Sequence, residues 1–282
     1  MGFKMFKLFS NLKDRHVIFA LILTLVCSYL MVYFFDLHNA FGVRDYFRSE
    51  YDTWPFFWYH WFKNGGPIEI IQYLFLGFGA LVCIKNSNIG QLNQMNSQDQ
   101  NPTEVFRFWT LMGVTLILML IEDAGDPRHT IRVYVQAMAG EEEQGILGTI
   151  TELVYFTILA SIPLYALIRH GKTVLAGRGK TMVYLLGGFF SYALAVGASF
   201  AGSAFHSLLE KNLYMITGRY LLDLFVTLGD EKTGELYSQN KDWISFYLMD
   251  SPVEESIELI GASLLLAAVI SYARLKEESP KG

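Results

Sequence analysis

Residues 17–35, VIFALILTLVCSYLMVYFF, run without a single charged side chain. A helix needs about 20 consecutive apolar residues to cross a bilayer core. The stretch follows MGFKMFKLFSNLKDRH, which is basic like the start of a signal peptide. The apolar run is nevertheless long enough to span, and it ends without a small-residue cleavage site. It reads as an uncleaved first transmembrane helix.

Five more apolar stretches of similar length follow, at 67–85, 105–124, 149–169, 182–206 and 253–274. Composition agrees with six spans. Hydrophobic residues make up 52% of the 282, with 22 Phe, 16 Tyr and 5 Trp, and charged residues only 17%. Soluble domains carry roughly 25% charged residues. Too little polar surface remains to cover this chain in water. The expected fold is therefore all-α: one polytopic membrane bundle over 1–282, its six helices paired as three hairpins.

Several function classes drop out. A net charge of −5 leaves no basic footprint for nucleic acid. Cys27 and Cys83 both lie in apolar runs, so neither a disulfide framework nor a cysteine zinc site is indicated. No GxxxxGK[ST], GxGxxG or HExxH string occurs.

Lys and Arg set the expected orientation. Lys4, Lys7, Lys13 and Arg15 precede the first span, Lys85 follows the second, and Arg169, Lys172, Arg178 and Lys180 follow the fourth. Arg274, Lys276 and Lys281 close the chain. Alternating helices put all of these on one side, which the positive-inside rule makes cytoplasmic. Both termini are then inside, in a plasma membrane of the bacterial inner-membrane type. The inner loop 86–104 is Asn/Gln-rich and reads as a linker.

On this topology 22 of the 27 Asp and Glu residues fall in the outer half. Glu69, Glu152 and Glu254/Glu255 open three descending helices, a pattern that suits either a degenerate two-helix repeat or acids in first turns, where the helix dipole favours them. Charges within a membrane are costly, about 2.5–3.5 kcal/mol each on insertion scales, so each needs a partner or a task. Glu122 and Asp123 close the third span, Glu152 lies a turn inside the fourth, and Glu255 and Glu258 lie on the sixth. His206 and Glu210 sit one turn apart at the outer end of the fifth. Carboxylates converging in low dielectric require a cation, a basic partner or shared protons. Glu122, Asp123, Glu152, His206, Glu210, Glu255 and Glu258 are therefore the candidate metal or proton site. The histidine would favour a divalent iron, zinc or copper ion.

Glu122, Asp126 and His129 share a nominal helix face like that of di-iron carboxylate bundles, but Pro127 breaks the register. Asp126 instead reads as the N-cap of a new helix, PRHTIRVYVQAMAG. Its stripe of Ile131, Tyr134, Val135 and Met138 predicts an amphipathic interfacial helix. Glu141, Glu142 and Glu143 after it read as a solvated turn. LYMITGRYLLDLFVTLG, 213–229, reads as interfacial or re-entrant, with Arg219 and Asp223 offsetting each other.

DTWPFFWYHWFKNGG, in the first outer connection, reads as an aromatic belt at headgroup depth, with His60 a headgroup contact. The alternative is a platform for a quinone, lipid or pigment at Trp54, Trp58 and Trp61. Gly188, Ser191, Ala195 and Ser199 let the fifth span approach its neighbours closely, which predicts a central helix.

Three functions remain open: a metal- or proton-handling protein, which would be an enzyme if the ion activated water or oxygen; a non-catalytic subunit of a larger membrane complex; and a small-solute transporter. The last has the least support, because Pro163 is the only proline inside a span and no inverted repeat is evident.

Overall fold

The computed structural model describes residues 12–51, 56–92, 101–138, 144–209 and 213–278, and all regular structure among them is helical. In chain order, α1 is Asp14–Val32, α2 Val43–Glu50, α3 Phe57–Phe62, α4 Pro67–Leu92, α5 Pro102–Gly125 and α6 Pro127–Met138. Then come α7 Gln144–Ala166, α8 Gly179–Leu209, α9 Leu213–Leu228, α10 Glu231–Ser238, α11 Lys241–Leu248 and α12 Glu254–Glu278. Six helical stretches are long and apolar enough to cross a membrane: Asp14–Leu37, Phe57–Asn88, Pro102–Gly125, Leu147–Val174, Gly179–Ala198 and Lys241–Arg274. Each contains or overlaps one of the six stretches read from the sequence. The chain is a multi-pass membrane protein by that measure.

The residues cluster into two compact units. The first comprises Met1–Ala20, Gln72–Phe190 and Ile260–Gly282; the second comprises Leu21–Ile71 and Ser191–Leu259. The division falls within α1, α4, α8 and α12.

The first unit is built around α5. Pro102 occupies the first helical position and the Asn101 side chain accepts the Thr103 amide, a combination that starts a helix sharply. Val105, Phe108, Trp109, Met112 and Leu116 form its buried face, at the spacing of one helical stripe. The Trp109 and Tyr272 rings lie 4.6 Å apart, and the Arg178 guanidinium sits 4.2 Å from the Tyr272 ring centroid. Buried polar groups are satisfied between helices: Asn86 Nδ2 donates to Val269 O at 3.2 Å, and the Ser87 and Thr110 hydroxyls are 2.9 Å apart. Glu104 pairs with the buried His170, and Lys180 with Asp14.

The most enclosed span is not the fifth but the sixth. Its apolar window is 78% buried, against 33% in α8. The reason lies in where the small residues point. Ala262, Ser263, Ala267, Ala268, Ser271 and Ala273 leave α12 slim, and all are buried. In α8 the small residues Gly188, Ser191 and Ala195 are offset by exposed Val183, Leu186, Phe190 and Leu194. Gly188 does pack closely, against Leu265 and the Gly261 carbonyl.

In the second unit the first and third long connections fold into one structure. The aromatic stretch is core. Phe56, Phe57, Trp58 and Phe62 are buried, and Trp58 Nε1 donates to the Tyr237 hydroxyl at 3.0 Å. A belt at headgroup depth would leave these rings at the surface, whereas here Tyr237 of α10 lies against Phe56 and Trp58, Phe35 and Phe47 against Phe57, and Tyr29 against Phe62. Trp61, half-buried, donates to Ser28 Oγ at 3.0 Å, and His60 lies against Phe47 and Tyr51. Trp54 lies outside the described residues. The 213–229 stretch forms α9, which packs on α11 with almost no gap. A Cβ added to Gly218 would fall 1.8 Å from the Ser245 carbonyl oxygen, so only glycine permits the crossing. Arg219 pairs with Asp242 of α11 at 2.6 Å and not with Asp223 as expected.

The acids that suited either a two-helix repeat or first-turn capping do not occupy equivalent places. Glu69 is in the first turn of α4 and accepts the Gly65 amide; Glu254 opens α12 and accepts the Tyr214 hydroxyl. Helix α7 begins at Gln144, so Glu152 lies more than two turns inside it. First-turn capping accounts for the first two.

Candidate functional site: the α5–α6–α7 corner

Asp126 makes the corner. It adopts the left-handed conformation, φ 43 and ψ 47, where its amide donates to Glu122 O and closes α5. Asparagine and aspartate tolerate this conformation better than other non-glycine residues. Its carboxylate accepts the His129 amide at 3.3 Å, so the same residue caps the N-terminus of α6. Pro127 at the first helical position follows the expected pattern. The N-cap read from the sequence holds, and it removes Asp126 and His129 from any di-iron geometry.

Helix α6 carries Arg128 and Arg132 one turn apart and no acid of its own. Both reach acids on the neighbouring helices. Arg132 Nη1 donates to Glu152 Oε1 of α7 at 2.7 Å. Arg128 Nε lies 3.5 Å from Glu122 Oε1 of α5, its guanidinium 5.0 Å from the Phe156 ring centroid. Tyr155, on the same side of α7 as Glu152, donates its hydroxyl to Glu122. Gly148 keeps α7 thin where α6 crosses, since a Cβ there would collide with Gln136 and crowd Arg132. Asp123 points elsewhere: Gln72 Nε2 donates to its carboxylate at 2.6 Å and the Tyr73 hydroxyl to its carbonyl at 2.9 Å.

Glu122 and Glu152 therefore meet one face of α6, each against its own arginine. Two carboxylates and two guanidiniums balance in charge. A dication at either acid would have to displace an arginine or sit beside it, and both arrangements are opposed by like-charge repulsion. Among the described residues no group of three or more His, Cys, Asp or Glu side chains is placed to hold a metal ion. A different face of α6 borders an open depression of about 450 Å³ lined by Gly125, Asp126, His129, Thr130, Val133, Tyr134 and Ala137.

The remaining candidates belong to the second unit. Glu255 is buried in the first turn of α12, with Glu258 one turn on. His206 lies within α8 by its backbone, and Glu210 falls outside the described residues.

The second unit also holds a polar knot that the sequence reading missed. A π-turn, Tyr33–Leu37, ends α1 and turns the fully buried Asp36 toward α3. Its carboxylate accepts the amides of Phe57 at 2.8 Å and Trp58 at 2.7 Å, capping that short helix. Arg44, 2% exposed, donates to Asp230 through both terminal nitrogens, at 2.8 and 2.9 Å, and to Asp36 O at 3.2 Å. Thr233 completes it, bonded to Arg44, Asp230 and Leu37 O. The Arg44 guanidinium, with Thr233, holds the Asp230 carboxyl well below its usual range. Burial, reinforced by the Asp36 carboxylate, pushes the Tyr237 hydroxyl well above its ordinary value, so it stays protonated.

Comparison with protein-family models, curated proteins and solved structures finds no match.

Proposed function

We propose that this chain is a non-catalytic subunit of a larger membrane assembly, with both termini cytoplasmic in a plasma membrane. The pairing of Glu122 and Glu152 with Arg128 and Arg132 carries the reading. The two deep acids best placed for shared chemistry are used to fasten three consecutive helices together, so they act as architecture. The Lys and Arg distribution supports the orientation.

The test is size and composition in mild detergent. The subunit reading expects the chain to migrate in an assembly well above its own 32.1 kDa with other proteins at fixed stoichiometry. Migration alone would overturn it. Cysteines placed at Ser49 and Ser238 should label from outside sealed cells, and the reverse sidedness would remove the orientation.

A second reading rests on α12. Buried Glu255 and neighbouring Glu258 share a unit with the α8 segment that bears His206, and together with Glu210 they are the set to hold an iron, zinc or copper ion or to share protons. Elemental analysis of purified protein separates the readings. Stoichiometric metal that is lost in Glu258→Gln, with expression unchanged, would favour this one.

A further inference from the structure

Phe41 stands between α1 and α2 with its side chain 96% exposed. Its backbone is left-handed, φ 60 and ψ 15, flanked by Asn39 and Gly42 with positive φ of 49 and 71. Bulky side chains rarely adopt this region, and such strain persists only where the surroundings over-determine it. Here they do. Asn39 Nδ2 donates to Asp45 Oδ2 at 2.8 Å, and the Asp45 amide returns a bond to Asn39 Oδ1 at 3.2 Å. On the other side Leu37 O accepts the Asp230 amide at 3.0 Å and the Thr233 hydroxyl at 2.8 Å, while Arg44 clamps Asp230. A turn fixed from both sides thus holds a phenyl ring out in the open, although the ring adds nothing to the core.

We propose that Phe41 is a docking anchor whose ring enters an apolar pocket, rimmed by Lys or Arg, on another protein of the same membrane assembly. The inference rests on the subunit reading above. A rigid, preorganised aromatic loses little entropy on docking, the property that marks interface anchors. The charges tied to this turn choose the partner. Exposed Asp45 is hydrogen-bonded to Asn39, and exposed Glu231 follows Asp230, whose amide bonds Leu37 O. Acidic charge beside the ring complements a basic rim on a protein partner. A ring dissolved in lipid also needs no fixed backbone geometry.

The test uses the full chain in intact membranes. A photoreactive benzoylphenylalanine at position 41 should give a protein adduct of one defined mass, with the same protein that co-migrates in the native assembly. The same group at Ser49 should give none. Phe41→Gly should reduce the assembled fraction at least tenfold, while the thermal midpoint of the chain stays level or rises because glycine relieves the left-handed strain. Phe41→Asn, which also tolerates that backbone, should reproduce the loss. Adducts with lipid alone or with a second copy of this chain would overturn the proposal, as would no adduct. An assembly intact in both variants overturns this inference while leaving the subunit reading standing. A wild-type chain that migrates alone removes both.

Discussion

The two units solve one problem, an acid near an apolar core, in different ways. In the α5–α6–α7 corner, Arg128 and Arg132 answer Glu122 and Glu152 from the next element along the chain. In the second unit, Arg44 answers Asp230 across 186 residues of sequence and is itself buried. The first arrangement staples neighbours that the connecting helix already holds together. The second closes a loop through most of the chain, so its loss would release the first connection from the third. Contacts of high sequence separation carry the larger ordering cost and define the fold more strongly.

The knot should therefore give the largest effect. Arg44→Met leaves Asp230, Thr233 and the Asp36 carbonyl without their shared donor; because the Asp230 side chain is 37% exposed, the cost falls at the low end of the about 3–5 kcal/mol for breaking a buried pair. Thermal unfolding of the purified protein should fall accordingly, with loss of protection in α2, α3 and α10 by hydrogen exchange. A loss no larger than that of Arg132→Met would end the contrast between the two regions. The pH dependence sharpens it. Asp230 has its pKa lowered from 3.8 in the folded chain, so its contribution is complete above that value and lost as pH falls through the depressed one. The stability that this pair contributes should begin to fall as pH drops below about 3.8 and go on falling toward the depressed value, and Arg44→Met should move the acid midpoint upward. An unchanged midpoint would show that the pair does not govern it.

Gly218→Ala comes next. The added methyl collides with backbone at Ser245, which cannot swing aside as a side chain end would, so α9 and α11 must separate. Overpacking of this kind costs about 1–3 kcal/mol, here at the upper end. The same substitution at Gly197, where a Cβ meets nothing within 4 Å, is the control and should be near neutral. Equal changes at the two sites, where helix propensity favours alanine in both, would mean that the crossing does not set the response.

Arg132→Met should cost less than Arg44→Met, on the order of 1–2 kcal/mol, because Arg132 is partly exposed and serves one acid where Arg44 serves Asp230, Thr233 and the Asp36 carbonyl. Its diagnostic is locality. Exchange should quicken in α6 and the start of α7, with α9–α11 unaffected. Changes reaching those helices would mean that the staple is global.

The sequence exposed the six spans because helix length and apolar content are set residue by residue, and it exposed the Asp126 cap because the Asp-Pro pair carries its own local geometry. What stayed hidden depended on pairing across distance. Arg128 and Arg132 were visible as residues off the apolar stripe, and an arginine pair on a helix without acids signals that acids must come from elsewhere. That signal does not say that Glu122 and Glu152 supply them. Asp36 gave a fainter cue, an acid closing an apolar run, while its role in capping α3 depends on the π-turn that rotates it. The aromatic stretch was misplaced for a related reason. Seven rings in nine residues suit a membrane interface or a core equally well, and what decides for the core is packing by Tyr29, Phe35 and Phe47 and by the distant Tyr237 of α10.

The smallest expected effect is at the surface of the second unit, where Arg219 and Asp242 join α9 to α11 at 2.6 Å with both side chains more than half exposed. By distance alone this pair is as good as Arg44–Asp230. Its surroundings are not. Exposed pairs gain little Coulomb energy in high dielectric, lose side-chain entropy when held, and weaken further in salt; measured values lie at about 0.2–1 kcal/mol. Arg219→Ala should therefore lower stability by less than about 0.5 kcal/mol, and raising the salt should erase the difference. The Gly218 crossing beside it already fixes α9 on α11 by shape, which leaves the ion pair little to add. A loss approaching that of Arg44→Met would mean that the Arg219 pair is shielded from water, as it would be if this face were covered by another subunit in the membrane.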